Sequence, residues 1–155
     1  MSRKKMKKVI TNLVTALLFI SPVSQASDIE EITKAARNYL VSQHISNEEL
    51  MADALHPKLA KRTFWKNKEH KPIILETSYD TMLHVANTYN RSGDKFPSNP
   101  RVEIKILDID QRVASVKLTA DDWIDYMHLI KTEDNQWKII NVLWQYHALE
   151  KHQTK

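Results

Sequence analysis

Asp125 is the side chain in this sequence whose surroundings most invite chemistry. It lies in Trp123-Ile124-Asp125-Tyr126-Met127, and on a strand the alternation of side chains puts Trp123, Asp125 and Met127 on one face. A carboxylate held among Trp123, Met127 and Trp144 is costly to ionise, and a raised proton affinity is what a general acid or base working near neutrality needs. Tyr39, on the inward face of the first predicted helix, supplies a hydroxyl able to donate to a developing oxyanion. Asp125 and Tyr39 are therefore the candidate catalytic residues of a proton-transfer reaction. The plainer reading is that Asp125 accepts hydrogen bonds from a helix start or a hydroxyl and locks the sheet to the helices. That reading is favoured, since buried carboxylates are usually satisfied and one candidate base is not a site. Trp65, Trp123, Met127 and Trp144 are the candidate ligand-binding residues, giving a pocket an apolar, largely aromatic lining.

Other chemistries are excluded by residue type. The chain of 155 residues has one glycine, Gly93, and no cysteine. A dinucleotide-binding turn or a phosphate-cradling loop needs several glycines for close backbone approach, and neither can be built here. Without cysteine there is no disulfide framework, thiol nucleophile or thiolate metal ligand. The seven histidines contain no pair spaced i, i+4 and no H-E-x-x-H, so no metal site is expected. No serine sits in a nucleophile context. No cofactor is expected.

The net charge of +4 comes from the front of the chain. Arg3, Lys4, Lys5, Lys7 and Lys8 precede an apolar run from Val9 to Ile20 that is too short to span a bilayer as a stable helix. Ser24-Gln25-Ala26 then offers small residues at the positions a signal peptidase reads, so residues 1–26 are expected to be a secretory signal peptide. Cleavage there removes five of 23 basic side chains against 19 acidic ones, leaving a net charge of −1. Nucleic-acid binding is not supported, no stable membrane insertion is expected after cleavage, and the mature protein belongs in the periplasm or medium. Residues 27–150 read as a single domain and 151–155 as a polar tail.

The elements that must position these side chains start with a capping box, Ser27-Asp28-Ile29-Glu30. The spacing of Ile29, Ile32, Ala36, Tyr39 and Leu40 predicts a helix over about residues 28–42. Ser46-Asn47-Glu48-Glu49 repeats the box and opens a short helix with Leu50, Met51 and Leu55 on its apolar side, ended by His56-Pro57. Residues 58–71, with Lys61, Arg62, Lys66, Lys68 and Lys71 around Phe64 and Trp65, read as a solvated loop in preference to an anion site. Pro72 to Glu76 is a short strand, Ser78 caps a third helix to about residue 90, and Arg91 to Pro100 is a loop. Beyond it the period changes to two: Val102, Ile104 and Ile106, then Ala114, Val116 and Leu118, alternate with polar residues. Two longer strands, about 122–132 and 136–147, complete a four-stranded antiparallel meander. The class is α+β, three helices packed on one face of the sheet.

A two-residue turn at Asp134-Asn135 sets the last hairpin so that Asp125 faces Trp144, Met127 faces Val142 and Leu129 faces Ile140. The opposite face then carries Tyr126, His128, Trp137, Ile139, Asn141 and Leu143. Both faces are rich in apolar residues, so the second is expected to pack against another chain or a helix, and a homodimer through it is the expected assembly.

Ala54-Leu55-His56-Pro57, the hairpin containing Ile106-Leu107-Asp108-Ile109, Asp125 to Lys131, and Trp137-Lys138-Ile139-Ile140-Asn141 together resemble the family described as "Putative lumazine-binding". That family lies within the nuclear transport factor 2-like superfamily, and the resemblance spans roughly residues 28–147. It implies a cone: helices wrapped by a curved, mainly antiparallel sheet of four to six strands, enclosing a pocket and often dimeric through the outer sheet face. It does not imply one chemistry, because the superfamily hosts isomerases, dehydratases, cyclases and binding modules. The expected function is an exported domain that binds a small, partly apolar or heteroaromatic molecule. The alternative is a cofactor-independent isomerase, dehydratase or cyclase using Asp125 as general base.

Overall fold

Alternation and helical spacing resolve into three helices and six strands in a computed structural model that describes residues 22–154, with backbone alone for 22–25. In chain order these are α1 (Pro22–His44), α2 (Glu48–Ala54), β1 (Leu55–Lys66), β2 (Pro72–Thr77), α3 (Tyr79–Thr88), β3 (Glu103–Asp110), β4 (Val113–Thr119), β5 (Trp123–Lys131) and β6 (Trp137–Tyr146). The strands form one curved sheet in the order β2-β1-β6-β5-β4-β3. Neighbours are antiparallel except β1 and β6, which run parallel. The three helices cover one face, and the fold is the α+β cone that the resemblance implied.

The core lies between that face and the helices. Ile32, Ala36, Tyr39 and Leu40 from α1, Met51 from α2, and Met82 and Ala86 from α3 meet Val116, Leu118, Met127, Leu129, Ile139 and Val142 from the sheet, all buried. Each large apolar side chain so enclosed contributes about 1.5–3 kcal/mol. No helix among the described residues is long and apolar enough to cross a membrane. The signal-peptide expectation rests on residues 1–26, of which 1–21 lie outside the described residues.

Several sequence expectations are corrected. Helix α1 is already in place at Pro22, the first of the described residues. Ser27-Asp28-Ile29-Glu30 therefore lies inside α1 and does not open it, and Ile29 is exposed. The cap of α2 is Asn47, whose side chain accepts from the Leu50 N–H, while Ser46 takes a positive φ. Leu55 begins β1 and is not on a helix.

The largest correction concerns residues 58–71. Most of the stretch expected as a solvated loop is strand β1, in which Leu59, Lys61 and Thr63 point inward and Lys58, Arg62, Phe64 and Lys66 point out. β1 is thus the strand that was not expected; it pairs with β2, where a strand from Pro72 to Glu76 was expected, and the two join the four-stranded meander in a six-stranded sheet, within the four to six strands that the resemblance implied.

The last hairpin shows two compensating departures. Its turn is a three-residue loop, Glu133-Asp134-Asn135, closed by a Thr132 N–H bond to the Gln136 carbonyl at 2.9 Å, with Asn135 at φ 62°. The longer loop shifts the register by one residue, pairing Lys131 with Trp137 and Leu129 with Ile139. A bulge between His128 and Leu129 then restores it, and Asp125 faces Trp144 and Met127 faces Val142 as expected. Trp137 and Ile139 consequently face inward, contrary to the two-residue-turn reading.

The expected polar tail is docked. His152 is buried, its Nε2 accepts from the Tyr146 N–H at 2.6 Å, and its Nδ1 lies 3.0 Å from the Phe64 carbonyl. The Lys66 N–H donates to the His152 carbonyl, the Thr154 N–H to the Lys66 carbonyl, and Trp65 Nε1 to Thr154 Oγ1. Backbone donors on β1 and β6 thus find acceptors in a strap that the polarity of its residues did not reveal.

Candidate functional site

β1, β6 and β5 lie side by side, and α1 crosses their inner face. That arrangement brings Lys61, Trp144, Asp125 and Tyr39 together. Asp125 and Tyr39 are fully buried and Lys61 is 7% exposed. Lys61 Nζ donates to Asp125 Oδ1 at 3.0 Å and to the Tyr39 hydroxyl at 2.6 Å. Trp123 Nε1 donates to the other carboxylate oxygen, Asp125 Oδ2, at 2.8 Å, while the Tyr39 hydroxyl stands 3.4 Å from Oδ1. Lys61 Nζ also lies 4.7 Å from the centre of the Trp144 ring, within range of a cation–π contact.

The electrostatics follow from burial. Loss of water pushes the Lys61 ammonium toward losing its proton, and the charge and hydrogen bond of Asp125 oppose that push without cancelling it, so its pKa is lowered. Burial, reinforced by the Asp125 charge and hydrogen bond, raises the Tyr39 pKa well above its ordinary value. Tyr39 stays a neutral hydroxyl that both accepts and donates.

A cleft of about 190 Å³ opens beside this cluster. Lys61, Trp123, Trp144 and Tyr146 of the sheet form one side, and Met82 of α3 and Tyr89 just beyond it contribute to the other. The Trp144 indole N–H is buried and has no acceptor among the described residues. The Tyr89 and Tyr146 hydroxyls are raised in pKa, chiefly by burial, and remain uncharged.

The sequence-derived candidates separate on this geometry. Trp123 and Trp144 border the cleft, whereas Asp125 and Tyr39 lie behind Lys61 and do not. Met127 faces inward but is enclosed in the core. Trp65 sits 6.3 Å from Trp144, ring centre to ring centre, and is covered by the strap. Lys61 was missed: a local excess of basic residues pointed to solvent. The signal that could have found it is the alternation Leu59, Lys61, Thr63, Trp65, which places one lysine on an otherwise inward row. Among the described residues no group of three or more His, Asp or Glu side chains is placed to hold a metal ion.

A model of the family described as "Putative lumazine-binding" matches residues 27–145. The chain belongs to that family. No curated protein matches it. Among solved structures, a nuclear transport factor 2-like protein of unknown function from Silicibacter pomeroyi is similar at 13% identity and TM-score 0.64, over 79% of this chain and 98% of that one. One from Shewanella baltica gives 16% and 0.60, over 79% and 96%. A ketosteroid isomerase-like protein from Erwinia carotovora gives 12% and 0.52, over 78% and 97%. At such identities the likeness shows the nuclear transport factor 2-like fold that this family member shares, and the site must be argued from its own residues.

Proposed function

We propose that this protein is a small-ligand-binding domain whose cleft takes a planar, partly apolar or heteroaromatic molecule bearing a hydrogen-bond acceptor. The observation that carries the reading is the pairing of an aromatic wall, Trp123, Trp144 and Tyr146, with a buried indole N–H that lacks an acceptor. A ligand oxygen or ring nitrogen supplies what that donor lacks, and unmatched buried donors are uncommon in native structures. The family description, lumazine-binding, is consistent with a ligand of this shape.

The alternative, proton transfer with Asp125 as base, is less well supported. Both carboxylate oxygens are engaged, by Trp123 and by Lys61, and Lys61 is the group that borders the cleft. These contacts favour Asp125 as the residue that fixes Lys61 and joins the strands to α1. The test is quenching of tryptophan fluorescence on titration with lumazine and other planar carbonyl compounds. Quenching is expected for the wild type, weakened by Trp144→Phe. An absence of quenching, together with no change in the nuclear magnetic resonance signals of residues around Lys61, would rule the pocket out.

Two further parts of the reading concern context. Export follows from the basic and apolar segments ahead of Ala26, and cleavage there removes Pro22 to Ala26 from α1 while leaving Ile32 to Leu40 in place. N-terminal sequencing of protein recovered outside the cytoplasm is expected to start at Ser27. Dimerisation through the outer sheet face is supported by Tyr126, 43% exposed, paired directly with Leu143, 58% exposed. Light scattering is expected to give twice the chain mass, reduced to one by Leu143→Glu.

A further inference from the structure

The hydrogen bonds of Lys61 carry an additional consequence for what the cleft accepts. Among the described residues bordering the cleft, Lys61 is the only one that carries a charge; its neighbours there include Gln43, Thr77, Met82, Tyr89 and Trp144. A lone lysine at the base of an aromatic pocket is an anion receptor by default, since a desolvated ammonium lacks a counter-charge. Here the counter-charge is already present. Asp125, fully buried, sits 3.0 Å from Lys61 Nζ, and Tyr39 and Trp123 complete the set without adding charge. The same cancellation recurs outside the cleft beside Tyr146, where Lys151 Nζ lies 5.7 Å from the ring centre and 3.3 Å from Asp122.

We propose that the Lys61–Asp125 pair makes this pocket select neutral acceptors, such as a lactam, ketone or ring carbonyl, and reject carboxylates of the same shape. The inference rests on the pocket reading above and specifies its ligand class. Two of the three Lys61 protons are directed to Tyr39 and Asp125, which leaves one donor, and the Trp144 N–H is a second. A neutral carbonyl satisfies either donor without changing the charge of the enclosed site. A carboxylate makes the same hydrogen bonds but adds a negative charge within reach of Asp125, in surroundings where charge is poorly screened. Selectivity is thus set by a residue that does not border the cleft: Asp125 acts through Lys61 as a positioning and charge-cancelling group.

The test compares two probes of one ring system, carbostyril, a neutral bicyclic lactam, and quinaldate, a carboxylate, titrated calorimetrically into the full chain at about pH 6, where the first probe is neutral and the second an anion. The wild type is expected to bind the lactam about tenfold or more tightly than the carboxylate. In Asp125→Asn the counter-charge is gone and the order reverses. In the double variant Lys61→Met/Asp125→Asn the site is neutral again and the lactam regains its lead, with weaker binding because one donor is lost. Where the single variant does not fold by its melting curve, the wild-type order and the double variant decide, since the double variant leaves no unpaired buried charge. Wild-type binding of quinaldate as tight as that of carbostyril overturns the charge argument and leaves the pocket reading standing. An unchanged order in a folded Asp125→Asn overturns it too. Failure of both probes to bind the wild type overturns the pocket reading and this inference with it.

Discussion

Two sites in this molecule are built from the same three residue types. At the cleft, Asp125 accepts from Lys61 Nζ at 3.0 Å and Trp123 Nε1 at 2.8 Å; near the start of α1, Asp28 accepts from Lys131 Nζ at 2.7 Å and Trp137 Nε1 at 2.9 Å. The chemistry is shared and the setting is not. The Asp125 side chain is wholly enclosed and is backed by Tyr39, whereas the Lys131 and Asp28 side chains keep 20% and 14% of their surface in water. The Asp28 cluster pins α1 to the turn end of the β5–β6 hairpin, and the smaller cleft beside it, about 90 Å³, is bordered by Trp137 and not by Lys131. The Asp125 cluster does the same structural work and in addition aims a lysine into a cleft. Burial and the opening of the lysine itself onto an adjoining space, more than residue identity, separate a clamp from a candidate binding group.

That contrast is broken most severely by removing one lysine at a time. Lys61→Met leaves Asp125 as an enclosed unpaired charge and is expected to cost about 3–5 kcal/mol in urea denaturation, whereas Lys131→Met, where water still reaches both partners, costs less, about 1 kcal/mol. Equal losses would show that the two pairs are energetically alike. A finer comparison uses the tryptophans. Trp123→Phe and Trp137→Phe remove similar volume, so the expected excess loss of about 1 kcal/mol at position 123 measures the hydrogen bond to the more deeply buried carboxylate.

The smallest effect is a change in pH dependence. Partial burial opposes ionisation of Asp28, but the hydrogen bonds from Lys131 and Trp137 and the Lys131 charge outweigh it and lower the pKa. The folded state therefore releases this proton more readily than the unfolded chain. The stabilisation is fully present above the unfolded value of about 4 and is lost as pH falls through the lower folded value. Asp28→Asn is expected to flatten the acid limb of the stability curve below about pH 4 and to leave its slope unchanged above about pH 5. An acid limb identical to that of the wild type would remove Asp28 from the account.

The fold was more legible in the sequence than the site. Period-two alternation located β3 to β6, Asp125 opposite Trp144 followed from the hairpin, and Ser78 marked the start of α3. The inward face of α1 placed Tyr39 correctly. Lys61 was not legible, because its partner Asp125 lies on β5, on the far side of β6 and remote in the chain, and the parallel pairing of β1 with β6 leaves no turn signature. A charged residue on an inward row looks like loop chemistry until its counter-charge is known. The strap around His152 was hidden similarly: its docking depends on backbone donors of β1 and β6 and not on apolar residues of its own. The three-residue turn and the later bulge in the last hairpin offset each other, so the register at Asp125 came out right from a turn that was wrong.

The parallel contact between β1 and β6 also orders the assembly of the chain in time. β3 to β6 follow one another through short connections, so their pairing closes small loops, whereas joining β1 to β6 brings residue 55 beside residue 139. Closing so long a loop is slow and late compared with forming hairpins. Until it closes, Asp125 has Trp123 as a neighbour on its own strand but not Lys61. The ion pair at the base of the cleft is consequently a marker of finished folding: its two halves lie on either side of the slowest closure in the topology, and the cleft gains its lysine only with the last strand to join.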